Sequence, residues 1–457
     1  MLNQLRKFEP RPLDEISIEW FRRALAVTWI WTLIVRLQDL NAHYSDDGVL
    51  PRALLATSDW KFSLNMFSGS SSWQLAIFAV SIAATLANGF GVQRPWTALA
   101  MWLTGISIFN RNELVMNGAD HYFSMILLWN FLLSWPRARR AASLGYILQI
   151  VMLYFFTGFA KSHFDAWTNG SAIRDILNLD ILTRPWSQQL VAYEPLMKGM
   201  TWSTLAVEFF AAISLIAATL ASGFGWSRFD ERTRRVAIVI LAMLHLGIMA
   251  MLKLYFIPIM SLVSLIPLWP SARDSSVAPN RRAISESSPL WQTGVVVLLS
   301  CIFLASNMQG DPRGLLALPK RYQAATAAFR LDQNWTFYAP PPTAGFDGWW
   351  VFDGLTEKNE HVDAWTGRAG PVETSKPKEL SNYYLNQHWT AYFINLTEPQ
   401  NERFLAGLLA FLCRENSKVR SNDSVQKITA ERFYSIYDAR PVSAYRIEHS
   451  CEVSGLY

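Results

Sequence analysis

The stretch AASLGYILQIVMLYFFTGFA, residues 141–160, contains no charged side chain, and Lys161 follows it directly. A bilayer core needs about 20 consecutive apolar residues for each helix that crosses it. Residues 291–310 also lack charge, and Arg94 is the single charged residue between Phe62 and Asn110. These stretches predict a polytopic membrane protein.

The composition agrees with this class and excludes others. Of the 457 residues, 51% are hydrophobic and 17% are charged, whereas soluble domains carry about 25% charged residues. Three cysteines cannot support a disulfide-rich scaffold. The net charge of +5 lies largely in short loops, which indicates a topology signal, so no nucleic-acid partner is expected. No apolar stretch follows Met1–Pro10 until about Ala24, so no cleavable signal peptide is expected.

We predict eight or nine transmembrane helices and prefer nine. The seventh and eighth spans form one apolar run that Lys253 and Pro258 interrupt, and it is too long for a single span. The predicted spans cover residues 20–40, 73–90, 95–109, 120–135, 142–160, 202–223, 236–253, 255–269 and 290–307.

The distribution of Lys and Arg predicts the orientation. With the N-terminus in the cytoplasm, sixteen Lys and Arg residues near the spans lie inside and eight lie outside. All the clusters, such as Arg137, Arg139 and Arg140, are then inside. Nine spans place the C-terminus on the extracytoplasmic face.

The chain changes character at about Asp311, where charged residues return. We therefore predict a membrane domain over residues 1–310 and an extracytoplasmic α+β domain over residues 311–457. Strands are expected at Trp349–Asp353 and His361–Trp365, flanking Gly354 and a turn at Lys358–Glu360, and an amphipathic helix pair over residues 384–414. Cys413 and Cys451 form a disulfide or remain two unpaired thiols.

Six ionisable residues lie within or beside the predicted spans, where such groups are costly and mark functional sites. The predicted orientation places all six at or above the midplane, on the outer side. We therefore expect one polar cavity, open to the outer leaflet and walled by spans one, four, five, six and seven. The six residues are Arg36, His121, Lys161, Glu208, His245 and Lys253.

Structural interpretations exist for most of these residues. Arg36 and Lys161 have long side chains that can reach the interface from a buried backbone position. Glu208 can form a structural ion pair with Arg36, and His245 can be an ordinary core histidine. His121 follows Asp120, and this pair can cap a helix at the interface.

Proton transfer is the chemistry that this set favours. A lysine in an apolar pocket becomes a base because burial disfavours its ammonium form. A nearby histidine can orient a substrate or donate to a developing anion. His121, His245 and Glu208 can form a metal triad, but their spacing does not support one, so no metal is expected. His163, two residues after Lys161, can join either arrangement.

The segment Tyr154–Lys161, followed by Asp165, Trp167 and Gly170, resembles the vitamin K-dependent gamma-carboxylase family, which has an aromatic-rich span ending in Gly-x-x-Lys. The likeness is nearest to its bacterial branch, the horizontally transferred transmembrane domain (HTTM) proteins. It covers most of residues 20–310. The other matching residues are Asn117–Tyr122, Leu244–Leu246, Phe256, Met260, Arg36, Asp39, Tyr44, Asp47, Gly48 and Asn334–Thr336.

The resemblance implies a lyase-like membrane enzyme in which Lys161 deprotonates a reduced quinone, with His121 in the active site. The quinone is vitamin K hydroquinone or a menaquinol-like quinol, and O2 and CO2 are co-substrates for carboxylation of a peptide Glu. The partners are then the lipid membrane, the quinone and an exported peptide, and the location is the bacterial inner membrane. Catalytic roles are expected for Lys161, His121 and His245, and a quinone pocket is expected from Arg36, Asp120, Tyr122, Glu208, His163 and Lys253.

A second hypothesis belongs to a different class. The protein keeps this fold without the redox step and binds an exported peptide as a maturation or toxin-immunity factor. Its outer domain then holds the partner near Trp349 and Trp350. A transporter is disfavoured because the sequence shows no repeated halves.

Overall fold

A computed structural model of the chain describes residues 10–55, 60–91, 95–135, 139–270, 289–342, 344–420, 423–435 and 441–451. Several residues that set the predicted orientation lie outside these ranges, namely Arg6, Lys7, Arg94, Arg137, Arg273, Arg281 and Arg282.

The N-terminal part is a bundle of long helices. Its helices are α1 Glu15–Leu37, α2 Leu40–Tyr44, α3 Arg52–Leu55, α4 Ser71–Phe90, α5 Pro95–Arg111, α6 Gly118–Leu133, α7 Arg139–Lys161, α8 Asp165–Thr168, α9 Ala172–Leu177, α10 Pro185–Gln188, α11 Glu194–Gly223, α12 Ser227–Met251, α13 Phe256–Leu265 and α14 Leu290–Gln309. Short 3-10 turns cover Leu64–Phe67, Glu113–Val115, Gln189–Ala192 and Ile266–Leu268.

Five described helices, α4, α7, α11, α12 and α14, are long and apolar enough to cross a membrane. The other predicted spans are also helical, but α5 and α6 have 17 and 16 residues, and α1 carries charges in its first half. A helix can be short or charged here because its neighbours shield it: every residue of α6 from Tyr122 to Asn130 is buried. The count of nine spans stays a prediction.

The break between the predicted seventh and eighth spans is present. Helix α12 ends at Met251 and α13 begins at Phe256. Between them the backbone N–H of Lys253 donates to the Leu182 carbonyl at 2.7 Å. Pro258 lies in the first turn of α13, where its missing N–H interrupts no helical hydrogen bond.

Exposed aromatic side chains mark both ends of the bundle. One end, which the predicted orientation makes the inner one, exposes Trp20, Trp96, Trp226 and Trp291. The other end exposes residues that include Trp60, Trp186, Tyr193 and Trp202. Tryptophan and tyrosine concentrate at membrane interfaces, where an apolar ring meets a wet surface. The two groups, with the apolar helices between them, suggest a lipid environment.

The C-terminal part is an α+β unit. It contains α15 Lys320–Ala328, α16 Leu380–Tyr383, α17 Gln387–Asn395, α18 Leu405–Val419, 3-10 turns at Ala344–Asp347 and Pro399–Phe404, and strands β1 Trp349–Thr356, β2 His361–Asp363, β3 Val425–Tyr434 and β4 Val442–Ser450. The four strands form an antiparallel sheet in the order β2-β1-β3-β4. The predicted helix pair corresponds to α17 and α18.

Two details of the predicted sheet were wrong. Gly354 lies inside β1, where it pairs with Val362, so β1 continues to Thr356 and the turn follows it. Strands β3 and β4, two of the four strands, were not predicted. A disulfide joins Cys413 of α18 to Cys451, directly after β4.

Residues 311–342 pack on the mouth of the helical bundle, ahead of the sheet. The guanidinium of Arg330 donates to Asn110 and Glu113, both at 2.6 Å. Trp335 packs against Tyr122 with ring centroids 5.8 Å apart. Lys376 forms ion pairs with Asp180 and Asp347, which tie the segment after α7 to the sheet unit. The two parts therefore share an extensive interface at the predicted outer end.

Candidate functional site

A buried ion pair joins α7 to α11. Lys161, the last residue of α7, donates to Glu208 near the middle of α11. The two residues are 4% and 5% exposed, so water screens the pair very little. Oε1 of Glu208 accepts the hydrogen bond from the Lys161 ammonium. Oε2 is buried and has no hydrogen-bond partner among the described residues. The predicted alternative, an ion pair of Glu208 with Arg36, is wrong: Glu208 pairs with Lys161, and Arg36 pairs with Asp120.

Gly158 lets the two helices approach at this point. It lies almost one turn before Lys161, and a Cβ added there would be 3.3 Å from Cβ of Glu208 and 3.4 Å from Oε2. Any larger residue would press on the carboxylate. The residue type at 158 therefore helps to fix the position of Glu208.

Trp167 covers the lysine. The ammonium of Lys161 lies 4.7 Å from the centroid of the Trp167 ring, a distance at which a cation is attracted to an aromatic face. The indole N–H donates to the carbonyl of Tyr338 at 2.8 Å. The lysine is thus held between Glu208 and a tryptophan that is itself fixed to residues 311–342.

A second polar contact lies on the same side of α7. Tyr154 Oη and Nε2 of His245, on α12, are 2.8 Å apart. Nδ1 of His245 is buried and has no partner among the described residues. Tyr154, Gly158 and Lys161 follow the i, i+4, i+7 spacing, which places them on one face of a helix. This face, with Glu208 and His245 opposite it, forms what we call the α7 site.

Arg36 belongs to a different cluster, at the outer end of α1. Its guanidinium donates to Asp120 of α6 and to the hydroxyl of Tyr44, each at 2.5 Å. The other oxygen of Asp120 accepts the backbone N–H of Asn117, which completes a capping box at the start of α6. Arg36 is fully buried, so it does not reach the interface. We call Arg36, Tyr44 and Asp120 the α1 cluster.

His121 lies beside the α1 cluster, but its side chain is exposed. The charged groups within electrostatic range are Arg330, Asp332, Asp120 and Glu113. Among the described residues, no hydrogen bond or ring contact joins His121 to Lys161. Burial raises the pKa of the Glu113 carboxyl, but the charges of Arg330 and Lys61 outweigh this and keep it below its usual value.

The remaining predicted pocket residues are dispersed. The hydroxyl of Tyr122 is 2.8 Å from that of Ser264. His163 is exposed, and its Nδ1–H donates to the Phe159 carbonyl at 2.6 Å, so it does not join the α7 site. Lys253 lies in the loop between α12 and α13.

Direct contacts therefore divide the residues into two groups, where the sequence predicted one cavity. The α7 site holds Lys161, Glu208 and His245, and the α1 cluster holds Arg36 and Asp120. Tyr154 and Trp167 were part of the motif behind the family resemblance but were not among the predicted site residues. The spacing of Tyr154 and Lys161 on one helical face could have indicated the first of these. In the described part of the chain, no three His, Cys, Asp or Glu residues are grouped to hold a metal.

Comparison of the chain with protein-family models, with curated proteins and with solved structures found no match. The resemblance to the carboxylase family stays a prediction that rests on the motif residues.

Proposed function

We propose that the protein is a membrane enzyme that removes a proton from a lipid-soluble quinol, with Lys161 as the base. The observation that carries this proposal is the Lys161–Glu208 pair, a proton donor and acceptor in direct contact and shielded from water. Ion pairs in such surroundings are weakly stabilising at best, because desolvation offsets the attraction. A chain that only needed stability would gain as much from two apolar residues.

The base must first lose its own proton. Transfer of the ammonium proton to Glu208 leaves a neutral amine and a neutral carboxylic acid, a state that low polarity favours. The amine nitrogen of Lys161 then accepts the proton of a quinol hydroxyl. The unpartnered atoms Oε2 of Glu208 and Nδ1 of His245 are polar groups that such a substrate can satisfy.

The family resemblance suggests the rest of the reaction. Reduction of O2 to the oxygen of an epoxide and to water takes four electrons, and conversion of the quinol to the quinone epoxide would supply all four. A basic oxygen of the reacting quinol would take the γ-proton of a peptide Glu, and CO2 would add to the carbanion that remains. His121, exposed at the outer mouth, is suited to meet the peptide, while the α7 site faces the quinol.

The test is quinol oxidation and epoxide formation by the full chain in lipid nanodiscs. Lys161→Ala and Glu208→Gln should lower turnover by about 10²–10⁴-fold, the usual contribution of a positioned acid or base. Lys198→Ala is the matched control, because Lys198 is a surface lysine paired with Glu194. Equal turnover of Lys161→Ala and the unmodified chain would exclude Lys161 as the base.

A second function, peptide binding without redox chemistry, is favoured by the way Lys161 is enclosed. Glu208 and Trp167 hold the lysine, and Trp167 anchors residues 311–342. In this case Lys161→Ala loosens the outer unit and the chain consumes no quinol. Co-purification of the full chain with a small exported peptide, without epoxide formation, would select this function.

A further inference from the structure

A group of buried polar side chains lies where the C-terminal unit meets the helical bundle. The ring of His43, in α2, packs against Trp389 of α17 with ring centroids 4.4 Å apart, and the ring centroid of Tyr392 lies 6.5 Å from that of His43. Gln387 and His388 belong to the same helix, and Nδ1–H of His388 donates to the Val115 carbonyl at 3.3 Å. These five residues, which we call the junction cluster, are each at most 5% exposed.

The junction cluster is rich in polar atoms without partners. Among the described residues, both ring nitrogens of His43, Nε1 of Trp389, Oη of Tyr392 and Oε1 of Gln387 have no hydrogen bond. Buried polar groups are almost always hydrogen-bonded, and each unpartnered group costs about 1–3 kcal/mol. A structural interface has no need of several such groups together, so the concentration points to a ligand.

The chemistry of the unpartnered atoms selects the kind of ligand. Trp389, Tyr392 and one nitrogen of His43 can donate, and so can Nε of Arg36, which is also buried and unpartnered. Acceptors are fewer: Oε1 of Gln387 and the second nitrogen of His43. Burial and, to a smaller extent, the charge of Arg36 together lower the pKa of His43 to about 3, so the imidazole is neutral.

A groove lies against α2, and none of the five junction-cluster residues lines it. It has a volume of about 380 Å³ and runs between residues 37–42 on one side and Phe411, Glu415 and Lys418 of α18 on the other. Residues 40–42 of this wall belong to α2, the five-residue helix that carries His43. A ligand in the groove is therefore separated from the junction cluster by one short helix.

We propose that the junction cluster binds a carboxylate. A carboxylate has two oxygens and about four lone pairs, which match the four available donors, and it carries the charge that the nearby guanidinium attracts. The source is a side chain of an exported peptide or a free carboxylic acid. The site needs no quinol, so its test is independent of the function proposed above.

The test is binding of three probes to the full chain in nanodiscs, followed by thermal unfolding. N-acetylglutamate amide should raise the unfolding midpoint, and its neutral counterpart N-acetylglutamine amide should not. Sodium acetate separates the sources: stabilisation by acetate at similar concentrations assigns a free acid, and stabilisation by the glutamate probe alone assigns a peptide side chain.

Variants locate the binding. Tyr392→Phe, which removes a single hydroxyl, and His43→Phe should each weaken binding of the carboxylate probe about tenfold, the equivalent of 1.4 kcal/mol. His449→Phe is the control, because His449 is a half-buried histidine on β4, away from the junction. The proposal fails if the glutamine probe stabilises equally, or if Tyr392→Phe raises the unfolding midpoint without changing binding, which would indicate ordered water only.

Discussion

Two buried ion pairs, Arg36–Asp120 and Lys161–Glu208, differ in whether both oxygens of the carboxylate have a hydrogen-bond partner among the described residues. In the α1 cluster, Arg36 bonds to both Asp120 and Tyr44, and the second oxygen of Asp120 caps α6. In the α7 site, one oxygen of Glu208 and one nitrogen of His245 have no hydrogen-bond partner in the described part of the chain. A buried carboxylate whose two oxygens are both hydrogen-bonded is held rigidly, whereas one with an unpartnered oxygen is unfavourable unless something else completes it. We therefore interpret the α1 cluster as structural and the α7 site as functional.

The largest expected effect comes from breaking the α1 cluster. Arg36→Leu leaves Asp120 and the Tyr44 hydroxyl without their partner in a buried region, which should lower the free energy of unfolding by about 3–5 kcal/mol. Reversible unfolding in detergent measures this. Arg23→Leu is the control, since Arg23 forms an exposed i,i+4 pair with Glu19 and should change stability by less than about 1 kcal/mol. A small effect of Arg36→Leu would contradict the structural role.

The α7 site should respond differently to removal of its charges. Lys161→Met is expected to lower stability by roughly 2–3 kcal/mol, less than Arg36→Leu, because Glu208 can take up a proton. Adding Glu208→Leu should restore stability to within about 1 kcal/mol of the unmodified chain while turnover stays absent. The matched double variant Arg36→Leu with Asp120→Leu should not recover, since it also removes the cap of α6. If both double variants regain the stability of the unmodified chain, the two ion pairs do not differ in structural role.

The sequence predicted the helices of the bundle because each apolar stretch is long and bounded by charge or by a break. Helices α11 and α12 begin eight and nine residues before the predicted spans, because their first turns are polar and project beyond the apolar core. Strand β4 was missed because the alternation in Val442–Ser450 is carried by exposed polar residues with little hydrophobic contrast.

The residues of the site were predictable, but their pairing was not. Charge scarcity identified Arg36, Lys161, Glu208 and His245 one at a time. The choice between Arg36 and Lys161 as the partner of Glu208 depends on which helices are neighbours, and α7 packs on α11 through Gly158. Such packing is a tertiary property that the order of spans along the chain does not determine.

Trp167 should have a smaller effect than either charge pair. Trp167→Phe keeps a ring over Lys161 but loses the hydrogen bond to Tyr338, so stability should fall by about 1–2 kcal/mol. Trp202→Phe is the control, because its indole also donates to a backbone carbonyl, that of Thr168, but is half exposed. Trp202→Phe should lower the free energy of unfolding by no more than about 0.5 kcal/mol. If the two variants lose equal stability, the hydrogen bond from Trp167 to Tyr338 stabilises the chain no more than an exposed one does.

The smallest expected change tests whether the position of Glu208 matters. Gly158→Ala places a methyl group 3.3–3.4 Å from Cβ and Oε2 of Glu208, so the carboxylate must move by a few tenths of an ångström. The strain opposes the gain of up to about 1 kcal/mol that alanine brings to a helix, so stability should change little. Gly247→Ala in α12 has no heavy atom within 4 Å and should gain that full amount at unchanged turnover. A functional α7 site predicts that Gly158→Ala loses turnover without losing stability, whereas a purely structural pair predicts that neither variant affects turnover.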